Sequence, residues 1–141
     1  MEDCNKIGTL SELKVATELT AQDYHVFIQI SGKAPFDLVA EKQGRLWRIS
    51  VKGTAKNFST KRGSVEIGLR RTRANRHSTI IHPFSPNECD ILAVYIKVLD
   101  SVCFIPAVRI KGTNCISIRR ERTKYAPSPQ FVQSELLRVE G

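Results

Sequence analysis

Residues 5–21 place apolar and polar side chains at helical spacing, and the chain then changes to short runs with strand character. At about 100° per residue, Gly8, Glu12, Val15, Ala16 and Leu19 fall within one arc of roughly 100°. Ser11, Lys14 and Glu18 cluster nearly opposite. The pattern predicts a first helix with Glu12 in its inward stripe, Gly8 allowing close approach one turn earlier, and Ser11, Lys14 and Glu18 in water. Tyr24 to Ile30 then reads as a strand from its β-branched and aromatic content, and Ser31 to Pro35 turns the chain. Ala34 to Ala40 and Arg48 to Lys52 form two more strands, joined by a glycine-containing turn of hairpin length, Glu41 to Arg45. Val65, Ile67 and Leu69 alternate with polar residues, as in a strand with one face on the core. Asp90 to Val98 is the most apolar run and belongs centrally in a sheet. After the turn at Leu99-Asp100-Ser101, Val102 to Pro106 is a strand that ends at the proline or lies at an edge. Cys115 to Ile118 adds a short strand, Pro127 and Pro129 break the chain, and Gln130 to Val139 forms a short terminal helix. With no repeat, low-complexity tract or linker, residues 1–141 read as one mixed α/β (α+β) domain.

Two residues are out of place in this pattern. Asp37 sits among Phe36, Leu38 and Val39, and Lys52 closes the run Ile49, Ser50, Val51. A carboxylate and an ammonium in near-continuous apolar strands are partly desolvated, which is unfavourable unless something pairs them. A divalent metal and a scissile phosphate are one way to do so. Trp47, Ile49 and Val51 face one side of their strand, and Arg48, Ser50 and Lys52 face the other. A row of one hydroxyl and two cations suits a phosphate.

Composition narrows the field. Hydrophobic residues make up 41%, enough for a core. No apolar run approaches the roughly 18–20 residues of a membrane span, and the start lacks a signal-peptide pattern, so a cytoplasmic protein without a membrane partner is expected. Cys4, Cys89, Cys103 and Cys115 form no metal or CxxC spacing and are expected to be reduced. His77 and His82 have a poor spacing for metal and read as loop or phosphate-contact residues. The formal charge is +8, which favours a polyanionic partner. Between residues 53 and 77, seven cations (Lys56, Lys61, Arg62, Arg70, Arg71, Arg73 and Arg76) face a single acid, Glu66. Arg119, Arg120 and Arg122 form a second basic cluster. Basic loops at about 53–82 and 111–125 are therefore expected to form a phosphate-binding surface for a polyanion such as nucleic acid.

The order of these features, a helix with Glu12, a strand with Pro35-Phe36-Asp37 and a strand ending Ser50-Val51-Lys52, resembles the PD-(D/E)XK nuclease superfamily. Residues 5–54 carry the likeness. Gly8-Thr9-Leu10-Ser11-Glu12 is similar to the Gly-x-x-x-Glu helix of small single-domain members, which include Holliday junction resolvases and homing endonucleases of bacterial group I introns. The run from Pro35 to Gly53 and the basic loops look most like the intron endonucleases. The resemblance implies a restriction-endonuclease-like core, a mixed central β-sheet flanked by helices.

It also implies an activity: Mg²⁺-dependent, site-specific hydrolysis of both strands of double-stranded DNA. Mn²⁺ is the expected substitute metal. In this reading the catalytic set is Glu12, Asp37, Ser50 and Lys52. Asp37 and the Val51 backbone carbonyl bind the metal, and Glu12 binds it through water or holds a second metal. Ser50 can offer its hydroxyl to a metal-bound water, and Lys52 orients or helps deprotonate the attacking water. Cutting both strands needs two active sites, hence a homodimer or homotetramer. Arginines such as Arg70, Arg71 and Arg73 suit guanine in the major groove. The departure is Ser50, where most members carry Glu or Asp and the intron enzymes a glutamine; a hydroxyl adds no charge there. Two alternatives accompany the reading: a junction resolvase that recognises branched shape, and a DNA-binding module with a weakened catalytic site.

Overall fold

The computed structural model describes residues 4–74, 79–110 and 114–120. Helix α1 (Cys4–Ala21) is followed by β1 (His25–Ile28), β2 (Leu38–Lys42) and β3 (Arg45–Thr54). Next come β4 (Ser64–Gly68), β5 (Arg71–Ala74), β6 (Thr79–His82), β7 (Ile91–Ile96), β8 (Ser101–Pro106) and β9 (Cys115–Arg119). Short 3-10 turns span Lys97–Leu99 and Ala107–Arg109. The expected terminal helix, His77, Arg76 and Arg122 lie outside the described residues. Among those residues, no helix is long and apolar enough to cross a membrane.

The main sheet has the order β1-β2-β3-β7-β8. Only the β3–β7 pair is parallel, with Ile49 opposite Ile91 and Lys52 opposite Val94. The β2–β3 hairpin follows from its turn, where Gln43 (φ 54°) and Gly44 (φ 82°) both take positive φ between the paired Lys42 and Arg45. A two-residue loop of that shape matches the twist of the flanking strands. Pro106 closes β8, which is an edge strand.

Every residue of β7 is buried, so the sheet is covered there on both faces. On one side lies α1, through Val15 and Leu19, neither of which touches solvent. Each such side chain contributes about 1.5–3 kcal/mol of burial. Val65, Ile67 and Ile118, from the two-stranded ribbon β4–β9, join the same core. The expected loop position of His82 is corrected: it pairs with Arg71 in the β5–β6 ribbon.

The packing face of α1 differs from the wheel reading. Ser11 is 1% exposed, whereas Glu12 is exposed at the edge of the Ser11, Val15, Leu19 stripe. Serine can be buried here because its hydroxyl donates to the Ile7 carbonyl one turn back, at 2.6 Å. Nor is Gly8 the point of close approach: a Cβ there would have no neighbour within 4 Å. That role belongs to Gly53 on β3, where a Cβ would meet Ser11 Oγ at 1.7 Å.

Candidate active site

Asp37 lies one residue before β2, and its side chain extends the ladder that its strand has not yet begun. The Asp37 N–H donates to the Ile49 carbonyl at 2.9 Å. Two residues along β3, the Val51 N–H donates to Asp37 Oδ2 at 2.7 Å. A charge-assisted bond of that length fixes the carboxylate firmly.

The loop ahead of Asp37 is fastened by side chains. Gln29 Nε2 donates to the Phe36 carbonyl at 2.8 Å and to the Ala34 carbonyl at 3.4 Å, and Gln29 Oε1 accepts the Ala34 N–H at 2.8 Å. Ser50, only 7% exposed, donates its hydroxyl to the Pro35 carbonyl at 3.3 Å. Ser50 also hydrogen-bonds the thiol of buried Cys89, whose pKa is pushed up by burial. The carbonyls of Ala34, Pro35 and Phe36 are thus all held from outside the loop.

A cleft of about 230 Å³ brings together Asp37, Ser50, Val51 and Lys52, with Gln29 and Glu88 also on its wall. Glu12 is not on that wall, yet it is electrostatically linked to the site. Partial shielding from water, and then the negative charge of Asp37, raise its carboxyl above the ordinary glutamate range. The two carboxylates are close enough for the charge of one to act on the other, and both offer only oxygen donors. Magnesium, which keeps several waters and takes one or two carboxylates, suits such a set. Among the described residues no three His, Cys, Asp or Glu side chains come together at metal-binding distance.

Arg48 is corrected. It shares a strand with Ser50 and Lys52, but it is held by Asp90 rather than turned to a phosphate. Its N–H and Nη2 donate to the two Asp90 carboxylate oxygens at 2.7 and 3.2 Å, and its Nη1 to the Asn87 carbonyl at 3.1 Å. Sequence reading also passed over Gln29 and Glu88. No local pattern marks the glutamine; the signal for Glu88 is an acid beside the mouth of the most apolar strand.

The predicted DNA-contact residues separate into groups. Lys56, Arg62 and Arg119 line a second pocket of about 340 Å³ over the β4–β9 ribbon. Lys61, Arg70 and Arg120 are exposed on the surface, and Arg71 and Arg73 lie on β5. Of the cysteines, Cys89, Cys103 and Cys115 are free thiols, the first two buried.

A family model described as PD-(D/E)XK endonuclease matches residues 2–135. The chain belongs to this family. It is a nuclease with a mixed-sheet PD-(D/E)XK fold, and the family implies a DNA substrate. Among solved structures it is similar to a bacterial homing endonuclease, I-Ssp6803I, with a TM-score of 0.76 and 22% sequence identity. That match covers 99% of this chain and 95% of the other. At this identity the likeness is one of fold. The chain has no match among curated proteins.

Proposed function

We infer that this PD-(D/E)XK endonuclease is a Mg²⁺-dependent, site-specific enzyme of the homing type that cuts both strands of duplex DNA as a homo-oligomer. The observation that carries the reading is the meeting of Asp37, Val51 and Lys52 in one cleft, with the charge of Asp37 reaching Glu12. The homing type is carried from the structural neighbour named as a homing endonuclease, and site specificity and double-strand cutting are part of the same proposal.

Asp37 Oδ1, the Val51 carbonyl and Glu12 would hold the cation. A strand residue sends its N–H and C=O to the same side. Val51 donates its N–H to Asp37, so its carbonyl faces that side too, beyond the end of β2. Once bound, a divalent cation supplies positive charge against which negative charge on the phosphate collects. Lys52, on the cleft wall, orients the attacking water and stabilises the charge that develops. In this reading Ser50 acts as a positioning residue for the Asp37 loop, because its proton is engaged with Pro35. Lys56, Lys61, Arg62, Arg70, Arg119 and Arg120, with Arg71, Arg73, Arg76 and Arg122, grip the DNA.

The test is cleavage of a complex duplex pool with Mg²⁺, parent against Asp37→Asn, followed by sequencing of the ends. The expected result is discrete ends on both strands from the parent and at least about a hundredfold loss in the variant. Binding by the parent without any cutting overturns the catalytic reading in favour of a DNA-binding module.

A further inference from the structure

The β4–β9 ribbon has two unlike faces. Val65, Ile67 and Ile118 are buried on the inner one. The register places Ser64 opposite Arg119, Glu66 opposite Ser117 and Gly68 opposite Cys115 on the outer one. The loop between β3 and β4 borders this outer face and forms one wall of an open pocket, lined by Lys56, Arg62, Glu66, Ser117 and Arg119 among others. That loop is fastened. Ser59 and Ser64 are joined by a backbone bond of 2.8 Å, Arg62 N–H donates to Ser59 Oγ at 3.0 Å, and Arg120 N–H donates to the Gly63 carbonyl at 3.0 Å.

Three cations around a pocket are what a DNA backbone requires. The glutamate among them is not, because a carboxylate repels phosphate. Nor does Glu66 neutralise its neighbours: among the described residues its carboxylate forms no ion pair with Lys56, Arg62 or Arg119. An ionised carboxylate only accepts hydrogen bonds, so it recognises donors. In the major groove the base-edge donors are the exocyclic amines of cytosine and adenine, and the carboxylate pairing is with cytosine. A two-stranded ribbon is also of a width the major groove admits.

The pocket's distance from the chemistry is limited by the chain. Leu69, three residues beyond Glu66, lines the catalytic cleft. At about 3.3 Å per extended residue, Glu66 lies at most about 10 Å along the chain from that wall of the cleft. We propose that the outer face of the β4–β9 ribbon enters the DNA major groove and that Glu66 is a specificity-determining residue there. It accepts a hydrogen bond from the N4 amine of a cytosine on the same side of the cut as the ribbon.

The proposal rests on the DNA-endonuclease reading, and the experiment separates the two. Parent, Glu66→Gln and Glu66→Ala proteins are each given a randomised duplex pool. Bound sequences are recovered without divalent metal, and cut ends are recovered with Mg²⁺. The parent enriches cytosine at one position near the cut. Glu66→Ala loses that preference by roughly tenfold while binding unrelated duplex more tightly. Glu66→Gln moves the preference toward adenine, because an amide can bond both adenine N6 and N7. A parent that selects no cytosine there, or three proteins with the same preferences, overturns the proposal. A parent that selects sequences but never cuts overturns the endonuclease reading alone, since the bound pool still reports on Glu66. Glu66 is exposed on the ribbon, so both variants keep the core intact.

Discussion

The Asp37 cleft and the ribbon pocket lie on neighbouring stretches of one chain, and their polar groups are treated in opposite ways. In the cleft, Asp37 is bonded to Val51, Ser50 to Pro35, and Gln29 to both ends of the loop between Ala34 and Phe36. In the pocket, Lys56, Arg62, Glu66 and Arg119 share one space, yet no ion pair joins Glu66 to its cations among the described residues. Bond-breaking rewards groups already fixed where charge will develop, since nothing then has to reorganise during the reaction. Recognition needs donors and acceptors that are not already satisfied. Under the proposed function, one region holds still and the other is completed by its ligand.

Loosening the cleft is the strongest way to break this contrast. Gln29→Ala frees the Asp37 loop without touching the cleft's charges. Single-turnover cleavage at saturating DNA is expected to fall about 10- to 100-fold, to recover partly at higher Mg²⁺, and to leave DNA affinity unchanged; a matching loss of affinity would sink the positioning role. Removing cations from the ribbon gives the converse. Arg62→Ala and Arg119→Ala should each weaken binding and lower the salt dependence of log K by about one unit, with cleavage of bound DNA unaltered. Equal slopes in parent and variants would show that neither cation meets phosphate.

The smallest effect expected is on stability, in Glu12→Gln, whatever that variant loses in metal binding. Shielding from water, followed by Asp37, raises the Glu12 carboxyl above 4.5, so its charged form opposes folding. That opposition is complete above the raised value and gone once pH falls below the ordinary one. The variant should therefore melt about 1–2 °C higher at neutral pH, with the advantage fading as pH falls toward 4.5. A melting midpoint that is lower at neutral pH would contradict this sign.

The parts of the fold written in local pattern were legible in the sequence. The helix, the Gln43-Gly44 hairpin and the apolar β7 follow from periodicity and turn chemistry, and with them Lys52 on β3; the strand expected from Ala34 begins only at Leu38, so Asp37 sits just before it. What was missed depends on distant or self-satisfied groups. Ser11 looked like a solvent residue because its type is polar, but a bond to its own helix lets it be buried. Arg48 looked like a phosphate ligand because Asp90, 42 residues later in the chain, could not be seen to meet it. The β4–β9 pairing joins Val65 to Ile118 across the domain. The β5 run Arg71-Thr72-Arg73-Ala74 carries no apolar alternation to announce a strand. Gln29 acts through carbonyls that no side-chain pattern encodes.

Gly53 follows Lys52 directly, and Ser11 precedes Glu12 directly. Where those two residues meet, no atom larger than hydrogen fits on the glycine. The contact therefore works as a gauge block between helix and sheet: it sets their separation beside the lysine and the glutamate at once, with no slack to absorb an added methyl group. Descendants of this sequence can change position 53 only in step with position 11, so two residues with no chemistry of their own should drift as a pair.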